Sequence, residues 1–289
     1  MCLSITPAAI ADACRTAAAA SVRIDVVAQT GSTNADLLAR ANNARSVDTT
    51  NAVPSLPGPT LLVALAQTAG RGRAGRAWQS NLDSLAFSLA WPFSLPVSGL
   101  LGLPLAVGVA VAEVLAARQV KVSLKWPNDI LLEGRKLAGI LIESTSSGTA
   151  AGRGRRQTWA VIGIGMNLFP AGSNERLIDV PASAALPATD RNVLLAELLD
   201  AIVSNLQQFE RAGLAPFVAR WNALHAHAGR QVDIIDRGKI LASGAALGVD
   251  ASGRLLLDAG TPALAQVVAI VAGDVSLRPH QGAAHAIAD

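Results

Sequence analysis

A glycine- and arginine-rich segment, GRGRAGRAW at residues 70–78, most constrains how this chain can fold. It holds three arginines and three glycines and ends on Trp78. Glycine allows close backbone approach to an anion, and guanidinium groups offer forked donors to phosphate or carboxylate. Apolar stretches at 61–67 and 84–91 flank the segment and predict strands. The pattern predicts an anion-closing lid between two strands, although a solvated RNA-binding loop has the same composition.

The hydrophobic pattern before residue 226 switches between strand and helix periodicity. Residues 23–28 alternate and are β-branched, and Ser32, Thr33 and Asn34 follow where a helix should begin, because short polar side chains cap helix N-termini. The other predicted strands are 120–126, 130–132, 136–143 and 158–165, and the other predicted helices start at Asp190 and Pro216. Residues 42–60 and 145–157 are predicted surface loops, the second with a basic run at 152–156.

The pattern changes after Gly229 to short strands separated by turns. Strands are predicted over 231–235, 240–244, 253–258 and 267–271, which is typical of a small all-β module. We therefore expect four parts: a short N-terminal segment with at most one Ala-rich helix (1–22), a larger domain (23–227), the all-β domain (228–281) and a tail (282–289).

The run 100–117 needs a membrane test, because Glu113 is its only charged residue and its length approaches that of a spanning helix. Gly102, Pro104 and Gly108 interrupt its first half, so we predict a buried core helix instead. Hydrophobic residues make up 51% of the chain, which is ample for such a core.

Cysteine usage and charge argue against several other classes. Cys2 and Cys14 lack neighbours at metal-ligand spacing, so neither a disulfide scaffold nor a zinc site is expected. Asp12 and Arg15 interrupt the Ala-rich N-terminus, so we expect no signal peptide and a cytoplasmic location. The formal net charge of +3 lies mostly in arginine-rich loops, which does not favour generic nucleic-acid binding.

Three further short segments accompany the lid in a fixed order. They are GSTN at 31–34, KWPND at 125–129 with KLAG at 136–139, and GIGMN at 163–167. In order and spacing these segments resemble the biotin protein ligase family over residues 22–278. The resemblance implies a mixed α/β (α+β), class II synthetase-like catalytic domain, with helices on one face of its sheet and ligands on the other, followed by a small SH3-like β-barrel.

The same resemblance implies an activity. Biotin and ATP would give biotinyl-5'-adenylate and pyrophosphate, and a lysine of a biotin carboxyl carrier domain would then displace AMP to form an amide. Magnesium is implied by the triphosphate, and the partner is the carrier domain of a biotin-dependent carboxylase. Whether side chains hold the metal, and whether the chain forms a homodimer, are left open; no DNA or membrane partner is expected.

Site residues follow from matching these motifs one residue at a time. The catalytic set is Lys136, Arg71 and Arg73. The biotin-binding set is Ser32, Thr33, Asn34, Gln67, Arg71, Gly72, Arg73, Lys136 and Gly139. The ATP-binding set is Arg76, Trp78, Asn128, Lys136 and Asn167, with Asp129 beside it on the metal side.

Lys136 is the strongest of these candidates on its own pattern. It opens a predicted strand in which Ala138, Ile140 and Ile142 are expected to share its face, and a lysine at the edge of an apolar face needs an anion. A strand-end lysine that reaches solvent fits the pattern equally well. The family resemblance favours the functional role, because its lysine touches the biotin carboxyl group and the α-phosphate.

Several motifs have simpler interpretations when they are taken alone. A purely structural role, that of capping a helix, would explain Ser32, Thr33 and Asn34. The WPND segment could be a tight turn and nothing more, and a lone Gly-x-Gly is weak evidence for nucleotide binding. Arg278 stays open as an ATP contact. His225 and His227 are predicted at a helix end two residues apart, where they would not share a face, so they are not expected to be ligands.

Three rival functions remain to be compared. A lipoate or octanoyl ligase shares the catalytic fold, but the complete arginine lid with its tryptophan argues against it. A bifunctional ligase and repressor would need a helix-turn-helix domain, for which the residues before the first strand are too few. An RNA-binding protein would need aromatic stacking platforms, and the chain has five Trp, five Phe and no Tyr.

Overall fold

A computed structural model describes most of the chain. The described residues are 4–43, 55–79, 84–147, 157–168, 190–236, 238–260, 266–272 and 276–280. The predicted loop at 42–60 lies partly outside them, and the basic run 152–156 and the tail 282–289 lie entirely outside them.

From residue 23 to residue 270, the described helices and strands follow the predicted alternation. In chain order these are α1 (Pro7–Ala13), α2 (Ala17–Ala20), β1 (Arg23–Thr30), α3 (Thr33–Asn43), β2 (Thr60–Gln67), β3 (Ser84–Phe93), α4 (Leu103–Ala117), β4 (Val122–Lys125), β5 (Asp129–Leu132), β6 (Arg135–Ser147), β7 (Gln157–Asn167), α5 (Arg191–Ala212), α6 (Ala215–Ala223), β8 (Gln231–Asp236), β9 (Lys239–Val249), β10 (Leu255–Asp258), β11 (Val267–Ile270) and β12 (Ser276–Pro279). Short 3-10 turns lie at Arg73–Gly75 and Val97–Leu100.

Seven strands form the larger sheet in the order β1-β2-β3-β7-β6-β5-β4. β1 and β2 are parallel, and the other neighbouring strands are antiparallel. Successive side chains on a strand point to opposite faces. The central strands therefore place large apolar residues on one face, namely Leu85, Phe87, Leu89, Ile162, Ile164 and Met166. Their opposite face carries small residues, namely Ala86, Ser88, Gly163 and Gly165.

Helices cover the apolar face of this sheet in layers. α4 packs directly on β4, β5 and β6, and α5 packs on α4 and α1. Ten of the fifteen residues of α4 are buried, which confirms the predicted core helix. By length and composition alone, the stretch Val97–Ala117 could also cross a membrane, but most of it is buried inside the protein. An apolar helix buried on all sides passes the same test.

α3 lies on the opposite face and covers only part of it. Leu37 and Ala41 of α3 pack with Leu62 of β2 and with Trp159 and Val161 of β7 in a second, smaller core. The open remainder of this face, beyond the N-terminus of α3, is where the small residues of β3 and β7 lie.

The C-terminal domain is a separate five-stranded sheet in the order β11-β10-β9-β8-β12. Four of its strands were predicted, whereas β12, which pairs antiparallel with β8, was not. This domain is joined to the larger domain by hydrogen bonds, because Trp126 donates its indole N–H to the Gly253 carbonyl at 3.1 Å and the Asn222 side chain accepts from the Val249 amide at 2.8 Å.

The prediction of at most one N-terminal helix is wrong. α1 and α2 are separate helices, capped by the side chains of Thr6 and Thr16 respectively. The break between them is held by Asp200 of α5, which accepts from the amides of Arg15 and Thr16 at 2.8 and 3.0 Å. A tertiary contact from a residue far along the chain thus ends the first helix, and local composition did not reveal it.

Candidate active site

Two glycines of β7 form the floor of a cavity on the open face of the sheet. A Cβ atom added at Gly163 would lie 2.3 Å from Asn34 Oδ1, and one added at Gly165 would lie 2.2 Å from the Trp78 indole ring. Any side chain at either position would displace the residue above it. The Gly-x-Gly pattern, weak evidence in the sequence, therefore has a steric reason here.

The N-terminus of α3 forms one end of this cavity with neutral polar groups. Ser32, Thr33 and Asn34 are all buried there. The Thr33 amide donates to Gln67 Oε1 at 2.9 Å, and the Ser32 hydroxyl accepts weakly from the Ala35 amide at 3.4 Å. Helix capping and placement in the cavity thus occur together, so the two interpretations do not compete.

Ser88 of β3 completes this end, and sequence reasoning missed it. Its hydroxyl is fully buried and donates to Asn34 Oδ1 at 2.6 Å. Because that donation uses its only proton, Ser88 accepts from the Thr33 hydroxyl, 2.7 Å away. A small polar residue inside the apolar stretch 84–91 was the available signal.

The lid is a closed loop above the floor. Its two strands pair through the Trp78 amide and the Gly70 carbonyl at 2.8 Å, and through the Gly72 amide and the Arg76 carbonyl at 2.7 Å. A Cβ atom at Gly70 would lie 2.4 Å from the Trp78 carbonyl oxygen. Glycine at 70 is therefore required for this close backbone approach, as the lid prediction assumed.

The lid arginines contact different parts of the domain. Arg71 donates to Glu143 Oε2 of β6 at 2.8 Å, and Arg73 donates to Asn128 Oδ1 at 3.0 Å. Arg76 donates to the Arg73 carbonyl at 3.3 Å. The first two contacts hold the lid down on both sides of the cavity.

Lys136 lies at the other end of the cavity, opposite α3. Its ammonium group is 2.6 Å from Asp129 Oδ1 and 5.8 Å from the centre of the Trp78 ring. A Cβ atom added at Gly139 would lie 3.1 Å from both Cε and Nζ of Lys136, so the lysine lies on the face of Gly139.

The predicted face of Lys136 is therefore wrong. The register between β5 and β6 shifts, because Ile130 pairs with Ala138 whereas Leu131 pairs with Lys136. The extra residue of this β-bulge moves Lys136 away from Ala138 and Ile140, which pack in the main core, and onto the cavity face. The lysine reaches the cavity through the bulge and not through simple alternation.

Further cations surround this end. Burial lowers the pKa of Lys125, and the nearby positive charges of Arg278, Lys136 and Arg76 lower it further, while Asp129 opposes them. Arg278 belongs to β12, so the C-terminal domain adds a positive charge near the cavity. One carboxylate thus faces several cations, which favours a polyanionic ligand.

One cavity of about 350 Å³ collects every predicted site residue. They are Ser32, Thr33, Asn34, Gln67, Arg71, Gly72, Arg73, Arg76, Trp78, Asn128, Lys136, Gly139 and Asn167. Ser88 and Asp129 also line it, without having been in the predicted sets. The geometry brings the residues together, while the role of each one stays a prediction.

The histidine prediction needs a correction of its own. Residues 225–227 lie beyond α6 in a series of turns, where His225 forms an isolated parallel bridge with Leu124 of β4. The rings of His225 and His227 are therefore neighbours, with centroids 6.2 Å apart. Within the described residues, no group of three His, Cys, Asp or Glu side chains is placed to hold a metal ion.

Comparison with known proteins identifies the family. The sequence model of the Biotin/lipoate A/B protein ligase family matches residues 43–167, and that of the Biotin protein ligase C terminal domain matches residues 227–278. Over 263 residues the chain is 35% identical to the biotin--[acetyl-CoA-carboxylase] ligase of Mycobacterium tuberculosis, with 88% of each chain covered. The chain belongs to the biotin protein ligase family.

Other relatives of this ligase agree. It is 37% identical over 233 residues to the bifunctional ligase/repressor BirA of Salmonella typhimurium, covering 78% of this chain and 67% of that protein. It spans 59% of the length of the corresponding Escherichia coli protein. Among solved structures, the Aquifex aeolicus biotin protein ligase in complex with biotin and ATP aligns with a TM-score of 0.67 and 27% identity, covering 89% of this chain and 99% of that one.

Proposed function

We propose that this ligase activates biotin with ATP to biotinyl-5'-adenylate and then transfers the biotinyl group to a lysine of a biotin carboxyl carrier domain. The observation that carries the proposal is a single cavity with two chemically different ends. Hydroxyl and amide groups surround the end at α3, whereas lysine and arginine side chains surround the other. An uncharged ureido ring suits the first end, and carboxylate and phosphate suit the second.

The first step joins the biotin carboxylate to the α-phosphate of ATP. A carboxylate oxygen attacks phosphorus, the bond to the bridging oxygen breaks, and pyrophosphate leaves with that electron pair. Negative charge accumulates around the α-phosphate, so preorganised cations stabilise the transition state. We assign this role to Lys136, oriented by Asp129, and to Arg73, oriented by Asn128. We assign the stacking of adenine to Trp78, above Gly165.

Magnesium is compatible with the cationic end of the cavity. The ion prefers oxygen ligands and is typically bound through one or two carboxylates together with substrate phosphates. The Asp129 carboxylate and the Asn128 amide oxygen line this end and fit that description. When bound with ATP, the ion would neutralise phosphate charge.

The second step forms the amide. The neutral amine of the acceptor lysine attacks the acyl carbon, the C–O bond to AMP breaks, and the nitrogen releases a proton. The adenylate must survive until the acceptor arrives, so water has to be excluded, and the lid over the cavity serves that purpose. We propose a carboxylase carrier domain as acceptor and the cytoplasm, where ATP is supplied, as location.

The rival functions are less compatible with these contacts. A match to the C-terminal domain of biotin protein ligases favours biotin over lipoate. Two lid arginines donate to Glu143 and Asn128 of the protein itself, which ties the loop to the cavity rather than leaving it solvated as an RNA-binding loop would be. In the described residues before β1, α1 and α2 pack against α5, so they present no recognition helix.

The test is substrate-dependent pyrophosphate release. The protein is incubated with ATP and magnesium and, in separate reactions, with biotin, lipoate or octanoate; a carrier domain is then added and its mass is measured. We expect release with biotin, followed by a mass increase of one biotinyl group. Release with lipoate or octanoate but not with biotin would refute the proposed substrate, and no release with any acid would refute the reaction.

A further inference from the structure

Glu143 lies outside the cavity but contacts two of the residues that line it. One of its carboxylate oxygens, Oε2, accepts from Arg71 Nη2 at 2.8 Å and from Asn34 Nδ2 at 3.0 Å. Arg71 belongs to the lid and Asn34 to the first turn of α3. We propose that Glu143 is a positioning residue that latches the lid to α3, an inference that rests on the proposed function.

The latch helps to orient the side-chain amide of Asn34 at the end of the cavity proposed for biotin. Asn34 Oδ1 accepts from Ser88, while Asn34 Nδ2 donates to both Glu143 and the Leu141 carbonyl. The Glu143 carboxylate and the Leu141 carbonyl both accept only, so together they hold the amide with its NH₂ group toward β6 and its oxygen toward the cavity floor. One of the two acceptors that orient this predicted biotin contact thus belongs to a residue that does not line the cavity.

The latch also acts on the closed state of the lid. A loop with three glycines loses more backbone entropy on closing than an ordinary loop, so closure depends on anchoring contacts. Arg73 anchors one side through neutral Asn128, and Arg71 anchors the other through the charge of Glu143. The negative charge of Glu143 also balances the positive charge of Arg71. Arg71 therefore holds the lid closed, whereas Lys136 is the residue that we assign to the α-phosphate.

The alternative is an ion pair that stabilises the fold and nothing more. The Glu143 and Arg71 side chains are 25% and 44% exposed, and pairs of that exposure change stability little. A latch predicts a different set of effects, because it biases only the equilibrium between open and closed lid. Glu143→Gln should leave unfolding unchanged, whereas it should raise the KM for biotin and the dissociation rate of biotinyl-adenylate by roughly fivefold, the effect that such a pair can supply.

The experiment compares Glu143→Gln and Glu143→Asp with a matched control. Glu113→Gln removes another exposed carboxylate that pairs with an arginine, Arg220 of α6, away from the cavity. Measured quantities are the KM for biotin, kcat for pyrophosphate release, the adenylate dissociation rate and the denaturation midpoint. We expect a raised KM and dissociation rate with kcat within about twofold for Glu143→Gln, partial recovery for Glu143→Asp, and parental values for Glu113→Gln.

Two further readouts separate a latch from general disruption. Added salt should raise the parental dissociation rate toward that of Glu143→Gln, because salt screens an exposed pair. Combining Arg71→Ala with Glu143→Gln should raise the KM for biotin by less than the product of the two single effects, because both changes break the contact between Arg71 and Glu143. An active parent with unchanged KM and dissociation rate in Glu143→Gln, or additive effects in the double variant, would overturn the latch alone. A parent that releases no pyrophosphate with biotin would overturn the proposed function and the latch with it.

Discussion

Lowering the pH from 7 to 5 should destabilise this protein through two histidines buried where the domains join. His225 and His227 are 8% and 6% exposed. Both ring nitrogens of His225 and Nδ1 of His227 are buried with no hydrogen-bond partner in the described part of the chain. Burial lowers the pKa of each ring to about 4; His227 adds to the effect on His225, and Lys125 and Arg230 add to the effect on His227.

The sign of the effect follows from where the protons bind. Between pH 6.5 and 4 the unfolded chain binds protons at these histidines and the folded protein does not, so acid favours unfolding. The stability is fully present above pH 6.5 and is lost progressively as the pH falls toward 4. With pKa values of 6.5 unfolded and about 4 folded, linkage gives a loss of about 2 kcal/mol per histidine between pH 7 and 5.

The assay is denaturant unfolding at pH 7 and pH 5. The pair should cost at most about 4 kcal/mol, a large share of the 5–15 kcal/mol that is typical of whole proteins. His225→Phe keeps a ring beside Trp221, which lies 4.8 Å away between centroids, and should remove about 2 kcal/mol of the pH-dependent loss. As a control, Phe217→Leu, a buried change on α6, should lower stability equally at both pH values. An undiminished pH dependence in His225→Phe would refute the reasoning.

Three further predictions test the site. Lys136→Gln should reduce pyrophosphate release by roughly 100-fold to 1000-fold without unfolding the protein, whereas exposed Lys121→Gln should have no effect; near-normal release from the first variant would remove Lys136 from the mechanism. Gly165→Ala should displace the Trp78 indole from the cavity floor and raise the KM for ATP about tenfold, as measured by initial rates. Gly58→Ala, with open space around its Cβ position, should leave that KM unchanged. Equal KM values in the two variants would show that Trp78 does not form the adenine site. Ser88→Ala should remove the hydroxyl that donates to Asn34 Oδ1 and raise the KM for biotin about tenfold, and an unchanged KM would exclude Ser88 from the biotin network.

Local sequence signals predicted the elements well and their contacts poorly. The strand before the lid, the helix capped by Asp190 and the apolar α4 follow from periodicity and capping, which are properties of neighbouring residues. β12 and the break between α1 and α2 depend on partners far along the chain, β8 and Asp200. A short strand such as 276–279 has too few residues to show a period of its own, so its pairing could not be predicted.

In the candidate site, too, local sequence signals predicted which residues are present better than they predicted the contacts of each residue. Motif order identified many of the residues that line the cavity, but it missed Ser88, which belongs to no motif. It also missed Glu143, because that carboxylate contacts Arg71 and Asn34 from outside the cavity. Nor could it place Lys136, whose face is set by one extra residue in β6.

The cavity itself arises from a pattern that hydrophobicity alone conceals. Beyond α3, the two faces of β3 and β7 differ in side-chain size rather than in polarity, with Leu, Phe and Ile toward the main core and Gly, Ala and Ser toward the cavity. A hydrophobicity profile treats both faces as apolar and predicts a strand buried on both sides. When side-chain size is considered instead, the same residues predict a floor low enough for Trp78 and Asn34 to lie directly on the backbone. That floor leaves room above it for the cavity in which we propose that biotin and ATP bind.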